Sequence, residues 1–470
     1  MSAPVIEALA GIVGARNVIT DADAMVPYLK EPRGLFRGKA QAVVRPGSVA
    51  EVSALMKWAS ETGATVVPQG GNTGMVGGQV PVAEGREIIL SLQRLDKIRS
   101  VDAAGDTMTV EAGVILQKAQ EAAEAAGRLF PLSLASEGSC TVGGNLSANA
   151  GGTAVIAYGN ARELCLGLEV VLADGRVWNG LRQLRKDNTG YDLKNLFIGS
   201  EGTLGIITAA VLKLFPLPAA RATAFLAVPD PEAALALLNK AKASAGGTLT
   251  TFELMSRLGV EFVLRHAAGA RDPLSEPSPW YVLMEVSAQS ASGLDEAVEA
   301  FLGEALETGL VTDAALAGSL SQRADFWKLR EMLSEVQTYE GGSIKHDVSV
   351  PLHAVPAFIA RASEAVTAMV PGCRPLPFGH MGDGNIHFNV SQPVGADKAG
   401  FIARWEEMNT AVHAIVSEMH GSISAEHGIG RLKRDLLPGV KDPVELALMK
   451  TLKATLDPQG ILNPGAVLAM

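Results

Sequence analysis

No histidine occurs in the first 265 residues of this 470-residue chain; all eight lie from His266 onward. Neutral imidazole is the commonest metal ligand and the commonest acid–base group near neutral pH, so any such chemistry belongs to the back half. Cysteine is equally scarce. Cys140, Cys165 and Cys373 can build neither a disulfide framework nor a cysteine-held iron–sulfur cluster, and a reducing, cytoplasmic setting is the expectation. Basic residues are in deficit, 40 against 50 acidic, for a net charge of −10, which argues against a nucleic-acid partner. An anionic small molecule stays open, because a local Arg/Lys pair can bind one inside an acidic protein. No uninterrupted apolar run is long enough to span a bilayer. The start, Met-Ser-Ala-Pro-Val-Ile-Glu7, carries an early acid and no basic leader, so no secretory signal is expected. Neither G-x-G-x-x-G opening a helix nor G-x-x-x-x-G-K-[ST] is found, which removes the dinucleotide Rossmann site and the P-loop.

What is present is an ordinary globular composition, 47% hydrophobic and 19% charged, in a chain too long for one core. Residues 1–37 read as an amphipathic helix and a connector. A strand–helix–strand rhythm then runs from residue 38 to about 217, with a helix over 49–62. Phe215-Pro-Leu-Pro is the best linker, since its prolines stop either regular structure. From 218 to 420 strands mix with helices at 231–244, 293–308, 323–338, 354–370 and 399–419. This predicts an α+β layer with helices on one face of its sheet. Residues 421–470 form a turn-rich closing segment.

Fifty glycines are unevenly spread. Pro68-Gln69-Gly70-Gly71-Asn72-Thr73-Gly74, continuing to Gly78, follows a predicted strand. A second cluster runs from Glu137 through Gly138, Ser139, Gly144 and Asn145 to Gly151 and Gly152. Glu201-Gly202-Thr-Leu-Gly-Ile-Ile207 is a third. Glycine-rich backbone lets N–H groups converge on an anion, and Asn72 and Thr73 add side-chain donors. One such loop is usually a tight turn; three together suit a pyrophosphate, without naming the cofactor.

In the back half, His380 and His387 flank Met-Gly-Asp-Gly-Asn-Ile. On a plain strand their odd spacing puts them on opposite faces, but the intervening turn chemistry lets the chain fold back and point both one way. Glu426 would complete a His₂Glu set, the ligand set of a catalytic zinc site. Two core histidines and an exposed glutamate fit the same spacing. Arg330 offers a fork suited to a carboxylate, or pairs with Glu331 or Glu335 on its own helix. Lys345 alternates along a strand with Asp347 and Ser349.

Pro68–Gly78, Pro131–Gly152 and Gly199–Ile207 resemble the FAD-binding domain of the vanillyl-alcohol oxidase/p-cresol methylhydroxylase family. His380–Asn389, Ala425–Gly430 and Leu456–Gly465, which includes Asn463, resemble the C-terminal domain of its FAD-linked 2-hydroxy-acid dehydrogenases. The resemblance covers roughly residues 38 to 467. It implies a two-part FAD-binding domain over 38–217, a substrate domain with an antiparallel sheet over 218–420, and a closing segment that returns to the flavin site. Pro68, Gln69, Gly70, Gly71, Asn72, Thr73, Gly74, Pro131, Gly138, Ser139, Gly144, Asn145, Gly151, Glu201, Gly202, Ile207 and Asn463 are the implied cofactor residues. Some members attach flavin through a histidine of the first glycine loop. This loop has none, so non-covalent FAD is implied, with Cys140 the alternative attachment point. His380, His387 and Glu426 match the family's metal ligands, for zinc or alternatively manganese or cobalt. His427 matches the general base. Arg330, Ser334, Lys345, Asn389 and His427 match the substrate residues, with Ser334 standing where close members have threonine. The implied reaction is oxidation of a D-2-hydroxy acid, D-2-hydroxyglutarate first, with D-lactate, glycolate or D-malate as alternatives. The acceptor is an electron-transferring flavoprotein, a quinone or a cytochrome, and a homodimer is the family-level expectation. A flavin-binding electron-transfer subunit without chemistry of its own is the competing class.

Overall fold

The computed structural model describes residues 3–82 and 84–469, so the first two residues of the N-terminal stretch lie outside it. The chain divides into two units. One comprises residues 1–150, 160–217 and 427–470; the other comprises 151–159 and 218–426.

The first unit opens with a parallel βαβ core. Strands Ala42–Val44 and Val66–Gln69 both run parallel to Ile88–Ser91, which lies between them. Ser48 caps the Val49–Thr62 helix by accepting the Glu51 N–H at 3.2 Å, and Gly63, at φ 70°, ends it in a left-handed turn. Val52, Leu55, Met56 and Ala59 from that helix meet Leu9 and Val13 of the N-terminal helix over Ala42, Val44, Val66, Ile88 and Leu90. The N-terminal stretch is therefore part of this core, and Val18–Ile19 adds an antiparallel edge to the sheet. Past Ser91 the strand–helix–strand reading gives way. A five-stranded antiparallel sheet forms, in the order Ile98–Asp102, Thr107–Glu111, Ile206–Lys213, Cys165–Val171, Val177–Gly180. Helical stretches such as Leu116–Ala125 and Val142–Ala148 interrupt its strands in sequence, which imitates an α/β rhythm.

The second unit is built on a seven-stranded sheet in which every pairing is antiparallel. Its order is Asp313–Leu316, Ala220–Val228, Trp280–Ala288, Thr248–Ser256, Arg374–His380, Asn385–Ser391, Ser343–Ser349. Alternation sends Leu226, Phe252, Leu254, Met284, Val348, Ile386 and Phe388 to one face, under the helices Pro231–Ser244, Leu294–Glu307, Val355–Met369 and Trp405–Glu418. The expected single layer of helices is only part of the cover. On the opposite face Phe225, Met255, Tyr281, Leu376 and Phe378 pack under Arg257–His266 and Leu320–Glu331. The predicted helix over 323–338 breaks at Met332 and ends in a 3₁₀ turn, and that over 399–419 breaks at Ala403 and Arg404. Among the described residues no helix is long and apolar enough to cross a membrane.

Candidate active site

Within the first unit the three glycine clusters converge. A methyl group on Gly71 would sit 2.0 Å from the Ser139 carbonyl oxygen, and one on Gly70 2.3 Å from Thr141 Oγ1. Gly202, at φ +69°, is pressed to Pro68, where a Cβ would meet the ring at 2.4 Å. The Gly199 N–H reaches the Leu146 carbonyl at 2.9 Å and the Glu201 N–H the Ser147 carbonyl at 2.9 Å. Asn463 ties the closing segment in, its amide nitrogen donating to the carbonyls of Gly78 (2.9 Å) and Glu201 (2.8 Å). Asn72 is differently employed from its expected part as a donor: both amide hydrogens go to the carbonyls of Pro27 and Lys30. Gln69 likewise donates to Tyr28 and Gln79. Gln69 Oε1, Asn72 Oδ1, Thr141 Oγ1 and Asn463 Oδ1 are buried and find no partner in the protein. Buried polar atoms without partners are costly, so their gathering on one glycine-lined cradle fits a polar cofactor. Pro131 and Ile207 are buried, and Cys140 is 2% exposed with its sulfur accepting from Asn145.

The segment after His427 docks on the same cradle. Glu201, at φ +52°, turns its carboxylate onto the N–H groups of Ile429 (2.7 Å) and Gly430 (2.9 Å). The Val76 carbonyl accepts from Arg431 and Leu432, and a Cβ on Gly430 would meet that oxygen at 2.3 Å.

The second unit holds the proposed metal ligands. In the hairpin of Arg374–His380 and Asn385–Ser391, Phe378 pairs with His387. His380, two residues past Phe378, therefore shares the face of His387. The odd spacing that separates faces along one strand unites them across an antiparallel turn. The ring centroids are 5.4 Å apart. Glu426 lies between them, with Oε1 3.6 Å from His380 Nε2 and Oε2 3.8 Å from His387 Nε2. The three donor atoms lie within 4.8 Å of one another. Two ligands about 2.1 Å from one tetrahedral ion stand roughly 3.4 Å apart, so the set fits zinc. Gly151, expected among the cofactor residues, touches this cluster: a Cβ there would meet Glu426 Oε1 at 2.6 Å, and the Gly152 N–H donates to that oxygen at 2.7 Å.

Two acids that the sequence reading did not assign support these ligands. Asp347 faces His387 across the sheet and accepts from the Glu426 N–H and from Asn385, each at 3.0 Å. Glu253, 1% exposed, accepts from His380 Nδ1 at 2.7 Å and from Arg330 Nε at 2.6 Å. Arg330 thus pairs with Glu253 on the sheet, and its guanidinium lies 5.0 Å over the Phe378 ring. Burial alone would raise the Glu253 pKa, but His380 and Arg330 outweigh it and hold the carboxyl at about 2. Burial alone would lower that of His380, but Glu253 and Glu426 carry it up to about 9, so the donor set favours positive charge at this point.

The same face continues into the expected substrate residues. Lys345 pairs with Asn389, two residues from the Asp347–His387 pair, and its ammonium donates to the Ser334 carbonyl at 3.1 Å. Asn389 donates to Gln337 Oε1 at 3.1 Å, and Gln337 is itself fully buried and held by Leu333 and Ser343. Glu253 had a legible signal, an acid inside Phe-Glu-Leu-Met, because a buried glutamate must be paired. The strand carrying it was not identified from sequence, so the signal had no frame.

Comparison with known proteins gives the family. Residues 40–180 match the FAD binding domain and residues 217–467 the C-terminal domain of FAD linked oxidases. A D-2-hydroxyglutarate dehydrogenase of Xanthomonas citri is 38% identical over 99% of this chain and 97% of its own length. The mitochondrial D-2-hydroxyglutarate dehydrogenases of Bos taurus and Arabidopsis thaliana are 39% and 38% identical, each over 97% of this chain and 82% and 80% of theirs. Among solved structures, p-cresol methylhydroxylase (TM-score 0.75, 16% identity, 99% of this chain and 96% of that one) and alkyldihydroxyacetonephosphate synthase (0.76, 17%, 99% and 86%) share the fold. The chain belongs to the FAD-linked oxidase family, within the vanillyl-alcohol oxidase fold, and D-2-hydroxyglutarate dehydrogenases of plants, animals and bacteria are its relatives over nearly its whole length.

Proposed function

We propose that this protein oxidises D-2-hydroxyglutarate to 2-oxoglutarate. The observation that carries the reading is one sheet face whose His380, His387, Lys345 and Asn389 are joined by Glu426 and by Arg330 from the Leu320–Glu331 helix. A hydroxy acid with two carboxylates needs both a cation and a second anion-binding point, and Arg330 and Lys345 supply fork and point charge. The names of the relatives support the same substrate.

FAD, when bound, supplies the acceptor for the α-hydrogen and its electron pair. A divalent ion, zinc first, supplies Lewis acidity that lowers the pKa of the substrate hydroxyl. His380, His387 and Glu426 would hold that ion, and Asp347 fixes the backbone of Glu426. An imidazole nitrogen of His427 takes the hydroxyl proton as the carbonyl forms. Glu201 holds the loop that follows His427 by two backbone hydrogen bonds. The flavin is held without a covalent bond: the first glycine loop has no histidine, and Cys140 is buried on Asn145. Acid precipitation should therefore leave a yellow supernatant. The electrons would pass on to an electron-transferring flavoprotein, a quinone or a cytochrome.

The test is dye reduction by purified holoenzyme across D- and L-2-hydroxyglutarate, D-lactate, D-malate and glycolate, with and without chelator. D-2-hydroxyglutarate should dominate in kcat/KM, and chelator should abolish turnover while flavin stays bound. Equal turnover of D-lactate or glycolate would shift the assignment to a short-chain hydroxy acid. Turnover of nothing in the panel would leave an electron-transfer subunit.

A further inference from the structure

We propose that Glu253 is the positioning residue that joins the metal ligand His380 to the substrate-binding Arg330. The inference rests on the functional reading above and adds to it a residue in contact with neither ion nor substrate.

The argument starts from its place in the sheet. Glu253 stands in Thr248–Ser256 opposite His380, and Met255 opposite Phe378. It therefore shares the face of His380 and His387, between Thr251 and Met255 on its own strand. A carboxylate 1% exposed persists in ionised form only where both oxygens are matched by charge or strong donors. Here they are, one to each partner: Oε1 accepts from His380 Nδ1 at 2.7 Å, and Oε2 from Arg330 Nε at 2.6 Å.

Each bond has a consequence at the far end of its partner. A carboxylate accepts only, so His380 must carry its hydrogen on Nδ1, which leaves the Nε2 lone pair for the side where Glu426 lies. A charged acceptor on the distal ring nitrogen also makes the imidazole a stronger donor to metal. At Arg330, engagement of Nε fixes the plane of the guanidinium and leaves its terminal nitrogens to present a fork. One side chain thus sets the tautomer of a ligand and the orientation of an anion clamp.

Glutamine cannot replace it. Its amide has one acceptor oxygen and one NH₂, so either His380 or Arg330 would face a donor. Aspartate keeps two acceptors on a shorter stem. A matched control lies on the next strand: Glu285, 7% exposed, accepts from Arg323 at 2.9 and 3.1 Å and from Trp327 at 3.3 Å, and contacts no metal ligand.

The experiment uses full-length, flavin-loaded protein stripped of metal and titrated with Zn²⁺ against a chelating dye. KM and kcat for D-2-hydroxyglutarate are then measured at saturating Zn²⁺. Glu253→Gln should weaken Zn²⁺ binding roughly 10- to 100-fold. At saturating Zn²⁺ it should raise KM more than it lowers kcat. Glu253→Asp should recover part of the Zn²⁺ affinity, and Glu285→Gln should leave that affinity within about twofold. Unchanged Zn²⁺ affinity and KM in Glu253→Gln would overturn the proposal. So would an equal loss in Glu285→Gln, which would make the effect one of general stability. If Glu253→Gln does not fold, Glu253→Asp decides: wild-type Zn²⁺ affinity there overturns the proposal as well. The Zn²⁺ arm is independent of substrate, so a protein that binds Zn²⁺ through Glu253 but ignores D-2-hydroxyglutarate would sink only the substrate assignment. Wild type that binds no Zn²⁺ would sink both.

Discussion

Gly71→Ala should cost the protein its flavin. The position is free of backbone strain, so the penalty comes from space alone. The added methyl would lie 2.0 Å from the Ser139 carbonyl oxygen, 2.9 Å from its carbon and 3.0 Å from the Cys140 Cα, where ordinary contact begins at 3.4 Å. All three neighbours are backbone atoms of the second glycine cluster, so no side chain can swing aside. The first two clusters must part by more than an ångström to admit the methyl. Overpacking of this kind costs about 1–3 kcal/mol. That strain is relieved when the loops separate and imposed when they close on a ligand, so it should appear in binding. Each 1.4 kcal/mol is tenfold in affinity, which puts the rise in FAD Kd at roughly 5- to 150-fold. Flavin absorbance per protein after gel filtration, followed by titration of stripped protein with FAD, reads this directly. Gly303→Ala is the control: it lies in the Leu294–Glu307 helix with nothing within 4 Å of a Cβ, and it should leave FAD affinity unchanged. A Gly71→Ala protein with wild-type FAD affinity would show that the convergence of the two clusters does not set the cofactor site.

Four further substitutions test the second unit and the loop after it. Arg330→Ala leaves Glu253 buried with His380 alone, so thermal stability should fall, by about 3–5 kcal/mol for a broken buried pair. KM for D-2-hydroxyglutarate should rise at least tenfold; an unchanged KM would remove Arg330 from the substrate site. His427→Asn should keep zinc and FAD while turnover drops by roughly 10²–10⁴, and Glu426→Gln should lose zinc first. Loss of zinc in His427→Asn would make that residue a ligand and leave the base unassigned. Glu340 gives a pH signature. Burial would raise its pKa, but hydrogen bonds from Arg374 (2.6 Å), His266 (2.7 Å) and Arg265 (2.5 Å) outweigh it and hold the carboxyl near 2 against an ordinary 4.5. A depressed acid stabilises the fold above its unfolded pKa and loses that contribution as pH falls through the window from 4.5 to 2. The urea midpoint of Glu340→Gln should lie below wild type at pH 7, with the gap narrowing at pH 4; a constant gap would contradict this.

The sequence was most informative where chemistry is carried by local pattern. The Val49–Thr62 and Pro231–Ser244 helices have capping residues and apolar periodicity of their own, Ser48 and Asp230 at their N-termini. The glycine clusters and the His380–His387 turn are also local. What it did not yield depends on pairing between distant strands. Arg330 carries no mark that separates a partner on its own helix from one 77 residues away, and only the register of Thr248–Ser256 against Arg374–His380 brings Glu253 to it. The five-stranded sheet of the first unit was hidden for a similar reason: helices between its strands in sequence suggested parallel crossovers, whereas its ladders are antiparallel. Asn72 shows a third kind of miss, since composition counts a donor but not what has already claimed it.

The hairpin that carries His380 and His387 imposes a rule of parity on this site. Because facing positions sum to a constant across the turn, the two imidazoles stay together only while the turn keeps an even count relative to its present length. One residue inserted between Met381 and Gly384, if taken up as a register slip, would send His387 and Asn389 into the apolar layer beneath the Val355–Met369 helix and bring Ile386 and Phe388 out to face Glu426. Two inserted residues would restore the face. Length variation at this turn should therefore be tolerated in pairs or not at all, and the zinc content of one- and two-residue insertion variants would make that arithmetic visible.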